Sequence, residues 1–213
     1  MRYRQQSLID PQEIGYRRFC RNHKLLNQKI GTPAATDPTV VLAAEVELAV
    51  RYCLATHFGS LSPHRVLSYE RRNALGYQRC YRELDAVVGD RCHPQFFVEI
   101  KSVTQRGRGI KAGLPQLQRS LVIAQERWRS LQGILIEVAW MTELSEQEST
   151  PLLATDLFED LASCQKDESD ERITPIYWSG QQLAAGLAEL GMPLNPDILG
   201  WANATWSSQN LAG

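Results

Sequence analysis

The sequence predicts an α/β domain in which a mixed β-sheet is flanked by helices. Segments with helical and strand-like patterns alternate along the chain. The run at 134–141 is apolar and partly β-branched, as in a buried central strand. The 213 residues are 43% hydrophobic and 22% charged. These values fit one globular domain and exclude wholesale disorder, a collagen-like fibre or a coiled-coil rod.

We divide this single domain, 1–213, into four parts. Residues 1–38 form a basic N-terminal extension, and residues 39–141 form the core. The core begins with a helix at 39–57, which follows the helix-starting pair Asp37 and Pro38 and ends before Gly59. Segments 66–71 and 80–89 then flank 73–78 as the arms of a hairpin would, and 96–103 is a third strand. A Gly/Arg-rich loop leads to an amphipathic helix at 114–131 and the strand at 134–141.

The other two parts follow the core. Residues 142–172 form an acidic insert, with a short helix expected at 156–163. Residues 173–213 supply a further strand, a helix and a tail that packs as a strap or mediates self-association. The resulting order is α-β-β-β-α-β, insert, β-α, with no internal repeat.

Charge is divided between the two ends of the chain, although its formal net value is only −1. Residues 1–130 hold 21 Lys and Arg against 11 Asp and Glu, a net +10. Residues 131–213 hold 2 against 13, a net −11. The division predicts a polyanion such as DNA as partner of the basic part, and a homodimer or protein contact through the acidic C-terminal part. Alternatively, the acidic segment neutralises the basic face within the folded molecule.

The sequence also predicts a cytoplasmic location without membrane contact. Its apolar runs are shorter than the roughly 20 residues that a membrane span requires. Its N-terminus lacks the apolar stretch of a signal peptide. The five cysteines have no CxxC spacing, and the one CxxH spacing, Cys20 to His23, has no second such pair, so the sequence indicates neither a disulfide framework nor a zinc module.

Charged residues alternate with apolar ones on two consecutive predicted strands. Glu83 and Asp85 share one face of their strand, and Glu99 and Lys101 share one face of the next. Charges covered by a helix are costly unless they bind something. Asp and Glu oxygens suit Mg²⁺, with Mn²⁺ as a substitute, and such a metal can activate a water molecule.

The helix before these strands adds a candidate fourth member. Glu45 has apolar neighbours at helical spacing and is expected on the inward face. Glu47 has Arg51 four residues later and is expected to form a solvated ion pair. The alternative for Glu45 is a partly exposed carboxylate at the edge of the apolar stripe.

Together these residues resemble the pattern of the PD-(D/E)XK nuclease superfamily. The pattern consists of Glu45 on a helix, Asp85 at a hairpin strand, the triplet Glu99-Ile100-Lys101, and Gln116 on the following helix. It is most similar to the branch with RecB-type nuclease domains, phage-type exonucleases and archaeal Holliday-junction resolvases. The resemblance covers about residues 40–140 and implies a restriction-endonuclease-like fold with an αβββαβ core. Leu84 stands where the family name has Pro.

The resemblance also implies roles for the individual residues. Glu45, Asp85 and Glu99 would bind Mg²⁺, and Lys101 would orient the attacking water or stabilise the transition state. Gln116 would support the site or contact substrate, with Gln118 as the alternative.

The implied activity is Mg²⁺-dependent hydrolysis of DNA, internal or terminal, in repair, recombination, restriction or mobile-element processing. One alternative is a non-catalytic nucleic-acid-binding or assembly subunit that keeps the nuclease-like fold. Another is an unrelated fold in which Glu99 and Lys101 are an exposed strand pair.

Basic residues surround the predicted site and are expected to contact the phosphate backbone. Arg106, Arg108 and Lys111 lie in the Gly-rich loop, and Arg71 and Arg72 lie at the hairpin. Other arginines of the hairpin and the N-terminal extension add to this footprint. No segment resembles a base-reading helix or a zinc module, so the sequence gives no support for sequence-specific binding.

Overall fold

The computed structural model describes residues 3–23, 38–59, 61–140 and 172–192. These residues form a mixed α/β structure, as the sequence predicts. The helices are α1 (Ile14–Asn22), α2 (Pro38–Phe58), α3 (Arg108–Ala124) and α4 (Gly180–Glu189). The strands are β1 (Tyr3–Ile9), β2 (Val66–Asn73), β3 (Gly76–Glu83), β4 (Ala86–Gly89), β5 (Pro94–Val103), β6 (Gln132–Ala139) and β7 (Ile173–Ser179). None of these helices is long and apolar enough to cross a membrane.

The strands form two sheets, whereas the sequence predicted one. Strands β1-β2-β3 form an antiparallel sheet, and β4-β5-β6-β7 form a mixed sheet in which β5, β6 and β7 are parallel. The predicted hairpin arm at 80–89 leaves the first sheet at Leu84 and Asp85 and continues as β4 in the second. The Leu84 amide donates to the Arg65 carbonyl at 2.9 Å, so the crossover is held by its own hydrogen bond.

Each face of the four-stranded sheet is covered by a different layer. Helices α2 and α4 pack on one face, around Val98, Ile136 and Trp178. Helix α3 and the three-stranded sheet pack on the other face, around Phe97 and Leu135. Helix α1 lies on the outer side of the three-stranded sheet, where Tyr16 and Cys20 contact Val66. The described residues therefore bury one large apolar core on each side of the four-stranded sheet, and a smaller cluster under α1.

Most of the predicted core elements are present with shifted ends. The predicted helix at 39–57 and the strands at 66–71, 96–103 and 134–141 correspond to α2, β2, β5 and β6. The helix predicted at 114–131 is α3, which begins six residues earlier, at Arg108, and takes in part of the Gly/Arg-rich loop. The N-terminal extension contains β1 and α1, which the sequence did not predict. The predicted helix at 156–163 and the tail from 194 lie outside the described residues.

Candidate active site

Three charged side chains share the α3-facing side of the four-stranded sheet, and a fourth, that of Asp85, lies beside them. Side chains alternate along β5, so Glu99 and Lys101 lie on the same face as buried Phe97. Lys101 is the register partner of Glu137 on β6. Asp85 directly precedes β4, where continuing the antiparallel register places it opposite Glu99. Glu99, Lys101 and Glu137 therefore share one face of the sheet, and Asp85 lies beside β5, at the residue before β4.

Glu99 and Lys101 form a close ion pair. Lys101 Nζ donates to Glu99 Oε1 at 2.5 Å. The side chain of Glu99 is only 9% exposed, and that of Lys101 is 25% exposed. The partly open ammonium thus offsets a nearly covered carboxylate, as burial of a charge requires.

Asp85 is fixed by the neighbouring strand. Its Oδ2 accepts a hydrogen bond from the Ile100 amide at 2.8 Å. The other oxygen, Oδ1, accepts no hydrogen bond from any residue in the described ranges. Asp85 is half-buried, and the hydrogen bond through Oδ2 fixes its carboxylate against β5.

Glu137 caps the N-terminus of α3 from a different element. It is fully buried, and its two oxygens accept from the Gly107 amide at 2.5 Å and the Ile110 amide at 2.8 Å. The N-cap residue Gly107 has no side chain of its own for this purpose and adopts a φ of 86°. Sequence reasoning missed this role, although a lone acid in the apolar run at 134–141 was a signal.

Two glycines of α3 let the helix pass directly over Lys101. A Cβ on Gly109 would lie 2.7 Å from Lys101 Cβ and 2.8 Å from Glu137 Oε2. A Cβ on Gly113 would lie 3.3 Å from Lys101 Cγ. The helix therefore confines the Lys101 stem to a path along the sheet, which ends at Glu99.

Arg82 adds a second cation near Glu99. It donates from Nε to Ser120 Oγ at 2.9 Å and from Nη2 to the Gln116 carbonyl at 3.1 Å, which ties β3 to α3. Burial lowers the pKa of Arg82, while the negative charge of Glu99 acts in the opposite direction. Arg82 thus has a structural role, although the sequence had grouped it with surface arginines of the phosphate footprint.

Glu45 and Glu47 lie at opposite edges of the buried stripe of α2, and both are half-buried. Glu45 makes no hydrogen bond or ion pair with another residue in the described part of the chain. Burial lowers the pKa of Arg51, and so does Arg65, while Glu47, Asp85 and Glu83 raise it. The charges of Glu47 and Asp85 thus both act on Arg51, and the role predicted for Glu45 stays a prediction.

Glu83 belongs to a separate network. It accepts from the Tyr16 hydroxyl at 2.9 Å and pairs with Arg65 at 2.7 Å. Strand β3 ends at Glu83 and the chain then changes sheets, so the alternation that grouped Glu83 with Asp85 does not continue. Glu83 thereby anchors α1 to the crossover.

The remaining predicted site residues lie on the surface. The side chain of Gln116 is exposed, as is that of Gln118, and the described contacts of Gln116 involve its backbone carbonyl. The predicted phosphate contacts are all exposed: Arg71, Arg72, Arg106, Arg108 and Lys111. The Arg106 guanidinium lies over the ring of Tyr177, with Cζ 4.8 Å from the ring centroid. Tyr177 belongs to β7, the strand that pairs with β6.

The donor set of this face suits a hard divalent cation. Within the described ranges, no three His, Cys, Asp or Glu side chains converge to hold a metal ion. Asp85 and Glu99 nevertheless provide two carboxylates, and Mg²⁺ is commonly held by one or two carboxylates with waters and substrate phosphate. A Mg²⁺ ion bound by Asp85 and Glu99 would therefore need water and substrate as its remaining ligands.

The resemblance to the PD-(D/E)XK nucleases rests on this residue pattern alone. The chain has no match among protein-family models, and no significant match among curated proteins or solved structures.

Proposed function

We propose that this protein is a Mg²⁺-dependent nuclease that hydrolyses phosphodiester bonds of DNA. The observation that carries the proposal is that Glu99 and Lys101 form an ion pair on one face of β5, while Asp85 is bound to the amide of Ile100, the residue between them. Two carboxylates and an ammonium on neighbouring parts of two strands match the charges of a metal ion and a phosphodiester. The same three residues carry the resemblance to the PD-(D/E)XK superfamily, whose restriction-endonuclease-like fold is part of this proposal.

The roles follow from the chemistry of the side chains. Asp85 and Glu99 would hold Mg²⁺, which when bound neutralises phosphate charge and lowers the pKa of a water. Glu45 is the third acid that the resemblance implies. Lys101 keeps its ammonium beside Glu99, where it can orient a water or offset the charge that develops on the phosphate. Mn²⁺ has similar ligand preferences and is expected to substitute.

The start of α3 supports binding of the substrate backbone. Its Gly107 and Ile110 amides already serve Glu137, so phosphate binding there depends on side chains. Arg108 and Lys111 are exposed on the first turn of α3, and Arg106 lies two residues before the helix begins. These cations would position a phosphate backbone without reading bases.

Asp85→Asn and Lys101→Ala test the assignment. Each is expected to reduce DNA cleavage by roughly 10²–10³-fold or more, because each removes a charge that acts in the transition state. Asp90→Asn and Arg129→Ala are matched controls on exposed residues and should keep full activity. The assay compares DNA substrates in Mg²⁺, Mn²⁺ and EDTA, with circular dichroism to confirm folding. Full activity in either site variant would contradict the proposal.

A non-catalytic nucleic-acid-binding subunit is the second candidate. It is favoured by the 2.5 Å ion pair, in which Lys101 already occupies one oxygen of Glu99. The same assay separates the two candidates, because such a subunit would bind DNA but cleave none of the substrates in either metal.

A further inference from the structure

We infer that the projecting end of the β2–β3 hairpin, residues 72–78, is a two-stranded ribbon that enters the major groove of duplex DNA. We call these residues the hairpin tip. The inference rests on the proposed action on DNA and deepens it, because it specifies a B-form duplex as the substrate form.

The hairpin tip extends beyond the rest of its sheet. Strand β1 accompanies β2 only as far as the pair Tyr3 and Arg71. Beyond that point, among the described residues, the backbones of β2 and β3 pair with each other, as at Arg72 and Tyr77, and the Arg4 side chain of β1 lies over the Tyr77 ring. Every residue from Arg71 to Arg79 is exposed. The major groove of B-form DNA is wide enough to admit a two-stranded β-ribbon of this kind.

A network of local hydrogen bonds holds the tip in one shape. The Leu75 amide donates to Asn73 Oδ1 at 2.9 Å, and Asn73 Nδ2 donates to Gln78 Oε1 at 3.2 Å. Gly76 closes the turn with a φ of 120°, which a residue with a side chain rarely adopts. The turn presents Leu75 with 98% of its surface exposed. An apolar side chain on a fixed tip suits contact with thymine methyl groups on the groove floor.

The charges of the hairpin fit a polyanion. Residues 71–82 contain four arginines and no Asp or Glu. Glu70, at the base of the tip, is paired with Arg4 at 2.8 Å and Arg79 at 3.4 Å. The guanidinium groups of Arg71 and Arg72 make no hydrogen bond or ion pair with any other residue in the described ranges. These two cations are therefore available to the phosphates that border a groove.

The length of β3 sets the distance between this contact and the candidate active site. From Glu83, two residues before Asp85, to Gly76 the strand spans seven steps, or about 23 Å. That length corresponds to about seven base pairs of B-form DNA. An RNA duplex offers no equivalent contact, because its major groove is too deep and narrow for side chains to read.

The experiment measures binding by the full-length protein in EDTA, so that cleavage does not interfere. Fluorescence anisotropy compares a DNA duplex of about 25 base pairs with an RNA duplex and a single DNA strand of the same sequence, over a range of salt concentrations. The variants are Arg71→Gln/Arg72→Gln and Leu75→Ser. The matched control is Arg91→Gln/Arg129→Gln, which removes the same charge from exposed positions elsewhere. Circular dichroism confirms that each variant is folded.

We expect DNA duplex to bind at least about tenfold more tightly than RNA duplex. Arg71→Gln/Arg72→Gln should reduce the log-log salt slope for DNA duplex by up to about 1.8, or 0.9 per phosphate contact, and the control by less. Leu75→Ser should weaken duplex binding about fivefold at an unchanged slope, because it removes an apolar contact and no charge.

Equal effects of the two arginine pairs, or equal affinity for DNA and RNA duplexes, would overturn the inference. Hairpin-dependent duplex binding without cleavage in Mg²⁺ would contradict the nuclease proposal and leave the groove contact in place. DNA cleavage in Mg²⁺ together with duplex binding that is unchanged in the hairpin variants would support the nuclease proposal and overturn the groove contact.

Discussion

The α3-facing side of the four-stranded sheet has an apolar half and a polar half, although the same strands and the same helix form both. In the apolar half, leucines of α3 cover the sheet, and the residues in contact are Val87, Phe97, Leu135, Leu117 and Leu121. In the polar half, Gly109 of α3 lies over Lys101 and Glu137, and Gly113 lies over Leu135 and the Lys101 stem. The helix thus has small residues where it passes over the charged side chains of the sheet.

This difference shows how the fold supports buried charge. Burying a charge is unfavourable unless hydrogen bonds and opposite charges compensate for it. Glu137 receives two backbone amides, and Glu99 receives Lys101. The apolar half stabilises the domain, and the polar half uses part of that stability to hold groups suited to binding a ligand. Mutations in the two halves should therefore have different effects.

The largest effect on stability is expected in the apolar half. Leu117 is fully buried, so Leu117→Ala should lower the free energy of unfolding by about 2–5 kcal/mol through lost burial and a residual cavity. Val122→Ala on the exposed side of the same helix should change it by less than about 0.5 kcal/mol. Urea unfolding measures both. Similar losses in the two variants would mean that α3 does not pack as described.

Removal of the cap in the polar half should be slightly less costly. Glu137→Ala leaves the Gly107 and Ile110 amides without their acceptor, and should destabilise the protein by about 2–4 kcal/mol. Glu137→Gln retains one acceptor oxygen and should recover part of this loss. Urea unfolding with near-equal stability for the Ala and Gln variants would show that capping is not the role of Glu137.

Gly109→Ala tests the close approach of α3 to Lys101. The added methyl group meets Lys101 Cβ and Glu137, so we expect a loss of about 1–3 kcal/mol from overpacking, together with reduced DNA cleavage. Ala112→Gly, at an exposed position of the same helix, should cost about 1 kcal/mol through helix propensity and leave cleavage unchanged. If the loss of cleavage in both variants is no larger than the loss of folded protein explains, Gly109→Ala has no separate effect on Lys101.

The sequence was informative where periodicity is local. Helix α2 and strand β6 were predicted within about two residues of their observed ends because their apolar patterns are long. Strand β1 was missed because its sequence, YRQQSLI, is mostly polar and gains its order by pairing with β2. The change of sheet at Leu84 and Asp85 was missed because alternation continues in the sequence across the break.

The candidate site was predictable to a similar degree. Alternation within β5 placed Glu99 and Lys101 on one face, as the register of the sheet confirms. The contact of Glu137 with α3 spans about thirty residues of sequence, and no local pattern specifies it. The side of α2 that approaches Asp85 depends on how the helix packs. The sequence of α2 is apolar nearly all round, so it does not determine that packing.

Paired substitutions on α2 address this last point and have the smallest expected effect. Arg51 lies near Glu47, Asp85 and Glu83. Neutralising Glu47 removes one of the carboxylates that balance the positive charge of Arg51, so Asp85 balances a larger share of that charge. Asp85 would then compete less well for Mg²⁺. We expect Glu47→Gln to lower cleavage by about two- to fivefold, to raise the Mg²⁺ concentration required, and to change stability by only a few tenths of a kcal/mol.

Glu45→Gln is the same change on the same helix, at a position with no partner among the described residues. On structural grounds we expect it to have the smaller effect, whereas the family pattern predicts the reverse. Magnesium titrations of cleavage by the two variants decide between these expectations. A larger loss in Glu45→Gln would support Glu45 as the acid of this helix, because Glu45 has no hydrogen bond or ion pair in the described residues whose loss could account for it.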